Sequence, residues 1–377
     1  MTEAAGTEPV VLYLITSQIS SIFLRGQLAY LQEHGFHVEL GANLDNEDGV
    51  GSFDDGVVLH HLRYVREPSP INDLVALVAT VRLIRSIRPG IVNASTPKAG
   101  LIGSIAAWLC RVPKRIYVVR GLRYETAGGA RRAIFRATEK LAMRVSTDVI
   151  FNSRSLRKVA EDDGLIARGR GSVLGNGGNG LDTTRFENLP TRHEARATHG
   201  FLDDDYVIGF VGRLTKDKGI ADLLAAYDLL LDRRHDARLL IVGSFERGDP
   251  VGEEAMERID NDSHILHVEW MSNPGSAYKA MDVLCFPSYR EGLPNVPIEA
   301  QYCGVPVVAY AVTGTVDAVL EGNGHFVPAG DAGALADCLV ALAGHRPTER
   351  DGSLVDDEIA KAFDQRIVWE RLRSAMT

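Results

Sequence analysis

Short apolar runs alternate with longer amphipathic segments along most of the chain, and this alternation restricts the fold more than any other feature. Strands are expected at 10–15, 37–41, 57–61, 91–94, 115–120 and 148–152, with helices at 22–34, 71–88, 99–109, 131–146 and 155–163. Strand–helix–strand order of this kind winds a parallel sheet with helices on its faces. The second half repeats the pattern, with strands at 207–211, 238–242, 265–268, 283–286 and 306–309. A chain of 377 residues exceeds one ordinary core. The expected fold class is therefore α/β, with two Rossmann-like doubly wound domains, residues 1–185 and 186–359. The boundary falls in the polar stretch 186–200, which contains Pro190. No short period repeats, so a solenoid is not expected.

The stretch 288–299, S-Y-R-E-G-L-P-N-V-P-I-E, carries the strongest chemical signal. It sets Glu291 and Glu299 on either side of a turn that opens a helix. Gly292 and Pro294 break the chain after the apolar run 283–286, and Pro297 fits a first helical turn, where a missing N–H does no harm. A helix opening at the end of a buried strand offers free N–H groups and a positive dipole end to an anion. Leu293, Pro294, Asn295 and Val296 are thus read as a phosphate cradle, with one carboxylate before it and one inside the helix. Such a site suits a diphosphate with hydroxyl-bearing sugars at both ends. A second element, V-I-G-F-V-G-R-L-T-K-D-K-G at 207–219, ends a strand at Gly212 and places Arg213 and Lys218 in the following loop. Ligands of open α/β sheets bind at the carboxyl ends of strands, and a guanidinium fork with an ammonium suits a diphosphate.

Charge divides unevenly. The net charge is −9, yet 82–170 holds 19 basic against 6 acidic residues. A basic region on an acidic protein calls for an anionic partner. No nucleic-acid motif is present and aromatic residues are not interleaved with the basic ones, so nucleic acid is not expected. Cys110, Cys285, Cys303 and Cys338 form no C-x-x-C pair and no zinc spacing, which fits a reduced compartment. The N-terminal M-T-E-A-A-G-T-E-P does not read as a signal peptide. The longest nearly apolar helical run, 99–110, reaches about 18 Å, short of a bilayer of about 30 Å. Two patterns invite other readings. G-N-G-G-N-G at 175–180 satisfies G-x-G-x-x-G, but no helix follows it, so it is read as a flexible loop and not a dinucleotide fingerprint. The Asp203–Asp205 run precedes a strand, at the end away from ligands, and is read as a solvated turn.

Taken together, G-R-L-x-x-x-K-G at 212–219, I-V-G at 241–243, M-D-V-L-C-F-P-S at 281–288, the E-x7-E element and G-V-P-V-V-A at 304–309 resemble the glycosyltransferases of family 4. S-T-P-K-A-G-L-I-G at 95–103, R-I-Y-V-V-R-G-L-R-Y-E at 115–125 and N-G-L-D-T-T-R-F at 179–186 look like the bacterial branch that builds glycans on polyprenyl-diphosphate carriers. The resemblance implies a GT-B fold, two domains facing a cleft, with the C-terminal helix 360–377 returning to the first domain. It implies a retaining transfer from a nucleotide sugar, UDP-linked, with no other cofactor and no metal. Arg213 and Lys218 would meet the charge growing on the departing diphosphate, Glu291 the donor-sugar hydroxyls, and Glu299 the ribose hydroxyls.

Three positions depart from relatives. Arg120-Gly121 stands where many carry His-Gly, and Arg120 is assigned to the acceptor diphosphate. The loop 16–21, T-S-Q-I-S-S, lacks their glycines, and Ser17 is assigned to phosphate or sugar. Glu269-Trp270 replaces a common glycine. Lys98, with Ser17 and Arg120, completes the expected acceptor site. Helix 131–146 sets Arg131, Arg132, Arg136, Lys140 and Arg144 beside Ile134, Phe135, Leu141 and Met143, as a helix lying on an anionic leaflet would. The acceptor is accordingly expected to be a lipid-diphosphate-linked saccharide at the inner membrane face. A transferase acting on a soluble acceptor, or a nucleotide-sugar epimerase of the same architecture, stays open.

Overall fold

The computed structural model describes residues 8–45, 53–65, 69–246, 249–343 and 357–377. The first seven residues of the stretch judged against a leader lie outside this set. The chain forms two compact units, 1–179 with 365–377 and 180–364. It crosses from one to the other at Gly180, not at the expected 186.

The first unit contains β1 (Val10–Ser17), α1 (Gln27–Glu33), β2 (His37–Asn43), β3 (Val58–His61), α2 (Pro70–Ile87), β4 (Ile91–Ser95), α3 (Pro97–Leu109), β5 (Lys114–Val119), α4 (Gly129–Val145), β6 (Asp148–Phe151), α5 (Arg154–Asp162) and β7 (Gly171–Val173). Its seven strands lie in the order β3-β2-β1-β4-β5-β6-β7, and every pairing is parallel. In β1, Val11, Tyr13 and Ile15 pack on one face and Leu12 and Leu14 on the other. Both faces are therefore buried, as all-parallel sheets require. The expected helix 22–34 is shorter. A 3-10 turn, Gln18–Phe23, comes first, and Gly26 in the left-handed region opens α1.

The second unit contains α6 (Arg192–His199), β8 (Tyr206–Val211), α7 (Ile220–Leu231), β9 (Ala237–Val242), α8 (Glu253–Asn261), β10 (Ile265–Val268), α9 (Gly275–Ala280), β11 (Val283–Phe286), α10 (Asn295–Tyr302), β12 (Val307–Tyr310), α11 (Thr315–Ala318), β13 (Gly324–Val327), α12 (Ala332–Leu342) and α13 (Asp357–Ala362). Its parallel sheet runs β10-β9-β8-β11-β12-β13. Winding changes direction between β8 and β11, so their following loops diverge from adjacent strand ends. The opposite ends of these strands are locked. Asp282 accepts a hydrogen bond from Val207 N at 2.8 Å and from Arg196 Nη2 at 2.6 Å. Arg196 is 1% exposed and also donates to the carbonyls of Ala280, Leu202, Asp203 and Asp205. The Asp203–Asp205 turn is thus more than solvated: its side chain at Asp203 meets His193 at the surface, while its carbonyls wrap a buried guanidinium.

The expected helix 360–377 is two helices. α13 belongs to the second unit, and α14 (Gln365–Met376) belongs to the first, where Leu372 and Met376 join the β1–β2 core. The break falls where Leu181 N donates to Phe363 O at 2.6 Å. The glycine run at 175–180, read as a loop, forms a tight turn in which Gly177 N donates to Leu174 O at 2.8 Å and Gly178 N to Asn152 O at 2.6 Å. Gly177 has φ +108°, and a Cβ there would stand 2.0 Å from Asn152 O. Gly177 thus lets the turn approach the Asn152 backbone closely.

In α4 the expected apolar stripe is divided. Phe135 and Met143 turn to the core, whereas Ile134 and Leu141 remain 59% and 44% exposed. Among the described residues, no helix is long and apolar enough to cross a membrane. The inner face of α4 also buries Glu139, whose Oε2 accepts from Tyr117 Oη at 2.7 Å. Burial pushes Glu139 up to about 7, against the Tyr117 hydrogen bond and the charge of Arg123. An unfolded chain ionises this carboxyl near ~4.3, so between that pH and about 7 the unfolded state binds fewer protons and stability falls as pH rises. Glu139→Gln removes this titration. Urea denaturation from pH 4.5 to 7.5 should show the variant gaining on wild type as pH rises; parallel profiles would contradict the assignment.

Candidate functional site in the second unit

β8 ends at Val211, and its backbone stays paired just beyond the strand. Gly212 N donates to Val242 O and Leu214 N to Ser244 O, each at 2.9 Å. Leu214 and Thr215 are buried, so the loop carrying Arg213 and Lys218 is anchored on both sides of Arg213. A 3-10 turn, Lys216–Lys218, then reaches Gly219 at φ +70°, where a Cβ would stand 2.1 Å from Pro287 O. Only glycine lets α7 start this close to the end of β11.

Lys218 and Glu291 form an ion pair, with side chains 14% and 12% exposed. Arg213 turns instead to Glu246 and is 49% exposed. Both expected cations thus lie at the β8–β11 switch point, each carrying a carboxylate. The loop of Glu291 is fixed largely through Asp217. Its carbonyl accepts from Tyr289 N at 2.9 Å, its carboxylate from Thr215 Oγ1 at 2.6 Å and from Arg290 Nη2 at 3.2 Å, and its N–H donates to Asp249 at 3.2 Å. Burial works to raise the Asp217 pKa. The Thr215 hydrogen bond and the charges of Lys218, Arg290 and Arg213 outweigh it and hold the carboxyl below its usual value. Tyr289 and Tyr310 both donate their hydroxyls to Asp222 at the start of α7.

α10 opens at Asn295 after Pro294, with no side chain capping its N-terminus. The N–H groups of its first turn are not taken by a side-chain cap. Leu293 and Pro294 are buried and Asn295 is exposed. Glu299 stands in the second turn, facing inward at 6% exposure, so it is no ordinary first-turn acid favoured by the dipole. Its two oxygens accept from Arg185 Nη1 at 3.0 Å and Tyr278 Oη at 2.9 Å. Arg185 is braced in turn by Ser272 O at 3.0 Å and by Asn273, which donates to the Arg185 carbonyl.

In the first unit, Ser17 ends β1, Lys98 lies in the first turn of α3 after β4, and Arg120 follows β5. These strands are neighbours, so the three residues share one edge of the sheet. Lys98 Nζ is held by Asp73 of α2 at 2.6 Å. Arg120 donates to Asn179 Oδ1 at 2.8 Å and lies 4.7 Å over the Phe23 ring. Burial pulls its guanidinium down to about 10, offset by Tyr13. It lines a cavity of about 20 Å³ with Tyr13, Asn93, Asn152 and Asn179, about the room of one water.

Sequence reading missed several supporting residues. Arg185 lies 114 positions from Glu299, and only its place in N-G-L-D-T-T-R-F hinted at a role. Asp217 was hidden between Lys216 and Lys218. Thr96 precedes Pro97 yet holds φ +70° and ψ 150°, a conformation costing about 1–3 kcal/mol outside glycine. Its hydroxyl accepts from Thr16 N at 3.1 Å and meets Thr16 Oγ1 at 2.7 Å, joining the ends of β1 and β4.

Two parallel doubly wound sheets, with cations, carboxylates and an uncapped helix N-terminus at one switch point, are the architecture of the GT-B fold. The family model for glycosyl transferase 4-like domains matches residues 21–177, and that for glycosyl transferases group 1 matches 205–345. The capsular polysaccharide biosynthesis glycosyltransferase CapM of Staphylococcus aureus is 34% identical over 367 residues, 97% of this chain and 96% of that one. The chain belongs to this glycosyltransferase family. An Escherichia coli relative, UDP-Gal:alpha-D-GlcNAc-diphosphoundecaprenol alpha-1,3-galactosyltransferase, is 24% identical, covering 74% of this chain and 72% of its own. Among solved structures, sucrose-phosphate synthase from Thermosynechococcus elongatus aligns with a TM-score of 0.78 at 20% identity, over 97% of this chain and 98% of that one. HepE of Anabaena, solved with UDP and glucose, aligns with a TM-score of 0.75 at 18% identity, over 97% and 98%.

The Arg185–Glu299 contact has a measurable signature. Arg185→Gln removes the cation from a buried carboxylate that keeps its Tyr278 hydrogen bond, whereas Arg185→Gln with Glu299→Gln leaves no charge to compensate. A double-mutant cycle by urea denaturation should give a coupling of about 1–3 kcal/mol. Additive losses would show that the pair does not hold Glu299.

Proposed function

We propose that the enzyme transfers a sugar, with retention, from a UDP-sugar to a lipid-diphosphate-linked saccharide during capsule or surface-glycan synthesis. The observation that carries the donor half is the Lys218–Glu291 pair beside the uncapped start of α10, with Glu299 held in the next turn. Breaking the bond between the anomeric carbon and the donor phosphate builds negative charge on the departing diphosphate. Lys218, Arg213 and the N–H groups of Asn295 and Val296 meet that charge with fixed donors, which reorganise little as it grows. Glu291 accepts from donor-sugar hydroxyls while its other oxygen stays on Lys218. Glu299, oriented by Arg185 and Tyr278, accepts from the ribose. No side chain is assigned as a covalent nucleophile. The leaving phosphate takes the acceptor proton, so the new glycosidic bond forms as the bond to phosphate breaks.

The acceptor half draws support from the names of the two relatives and from the first unit. Ser17, Lys98 and Arg120 on one sheet edge suit an anionic acceptor, as does the excess of basic residues over 82–170. The exposed Arg131, Arg132 and Arg136 of α4 suit reversible contact with an anionic inner leaflet.

Glu291→Gln and Glu299→Gln should each lower kcat/KM by about 100-fold or more, equivalent to about 2.7 kcal/mol, with circular dichroism unchanged. Folded Glu291→Gln turning over at the wild-type rate would refute the donor site. Activity should persist in excess EDTA, since cations and helix N–H groups take the place of a metal; a strict need for Mg²⁺ or Mn²⁺ would refute that. UDP release should require acceptor. Conversion of UDP-sugar without acceptor would mark an epimerase instead.

A further inference from the structure

The outward face of α2 is apolar where it meets water. Ala76, Thr80 and Ile84 pack inward, and Tyr64 donates to or accepts from Thr80 at 2.9 Å beneath them. On the opposite side Ile71, Leu74, Val75 and Val78 are 79%, 62%, 59% and 41% exposed. Their spacing, i, i+3, i+4, i+7, makes one continuous stripe over the first two turns. A solvated helix face normally carries charge there, and a contiguous exposed stripe marks an interaction surface. Further along the same face stand Arg82 and Arg85, both exposed. Asp73 turns away from the stripe toward α3, where it pairs with Lys98 at 2.6 Å.

The fold sets this stripe among other basic residues. α2, α3 and α4 each start after a strand of the same parallel run, so their N-termini emerge at one edge of the sheet. α3 packs between its two neighbours. The start of α4 brings Arg131, Arg132 and the exposed Ile134 to that edge. Apolar side chains flanked by cations fit an anionic lipid surface, where the acyl layer takes the first and phosphates the second. A second copy turned face to face would set the same arginines against each other, a like-charge contact that an anionic leaflet avoids.

We propose that the first two turns of α2 insert into the headgroup–acyl boundary of an anionic leaflet, with Ile71, Leu74, Val75 and Val78 in the acyl layer and Arg82 and Arg85 at lipid phosphates. This deepens the reading of a lipid-diphosphate acceptor and rests on it. It makes the first two turns of α2 the main inserting element, with Arg131 and Arg132 of α4 adding contacts to lipid phosphates.

The test uses the full chain with phosphatidylcholine vesicles, with and without phosphatidylglycerol. Wild type should co-sediment with the anionic vesicles. Ile71→Ser/Leu74→Ser/Val75→Ser should bind them at least ~10-fold more weakly, a loss of about 1.4 kcal/mol. Its UDP release with a short-chain, water-soluble prenyl-diphosphate acceptor should match wild type. Separately, Leu74→Trp should gain quenching by brominated acyl chains over the wild-type signal. Wild type left in the supernatant, equal binding by the triple variant, or no added quenching would each overturn the proposal. So would light scattering that shows a dimer for wild type and a monomer for the triple variant, since a second copy would then cover the stripe. Failure of UDP release with the soluble acceptor, alongside intact insertion, would instead refute the acceptor reading and leave α2 as the membrane element.

Discussion

The register between β8 and β11 is the constraint on which the second unit depends. Asp282 sets it, one residue before β11, by taking the N–H of Val207 at the start of β8 and the guanidinium of Arg196. Removing a buried charge network from water is costly, and here six partners, Arg192, Val207, Ala280, Leu202, Asp203 and Asp205, surround Arg196 and Asp282 to offset that cost. Burial still draws the Arg196 pKa downward against the attraction of Asp282. With one end of the strand pair locked, the other end has a defined spacing. The loop after β8 and the loop after β11 then meet at Lys218 and Glu291.

Charge at that meeting point is organised in layers. Lys218 and Glu291 hold each other, and Asp217 holds the loops that carry them. Glu299 is served by a different set, Arg185 from the segment before α6 and Tyr278 from α9. The two carboxylates therefore answer to separate partners although a single motif supplies both. A site whose supporting groups are themselves hydrogen-bonded keeps its geometry when charge changes in it, which is what transfer from a diphosphate demands.

The first unit uses the same winding for a different surface. Its loops carry Ser17, Lys98 and Arg120, and its strained Thr96 ties β1 to β4. It also leaves aliphatic side chains of α2 in water, which a closed globular domain does not need to do. The strained Thr96 and the water-exposed stripe of α2 both depart from the ordinary rules of backbone conformation and burial.

The strand–helix alternation, the two-domain organisation and the E-x7-E element were legible in sequence because each rests on local chemistry: apolar period, turn residues and a helix start. The long helix read at 71–88 lies within a residue of its observed position, and the wholly apolar run 283–286 coincides with a buried central strand. The short strands Gly171–Val173 and Gly324–Val327 escaped, since three or four residues at a sheet edge carry little apolar pattern. Helix 360–377 was read whole because its break depends on Leu181 pairing across the chain with Asp364. In α2 the sequence showed apolar residues on all sides, but periodicity cannot say which of them face a neighbour. By itself the sequence determined which residue types follow which strands. Only the tertiary structure decided their partners, Asp217 for the Glu291 loop, Arg185 for Glu299 and water for Ile71, because contacts between residues far apart in the chain exist only once the sheets have set their register.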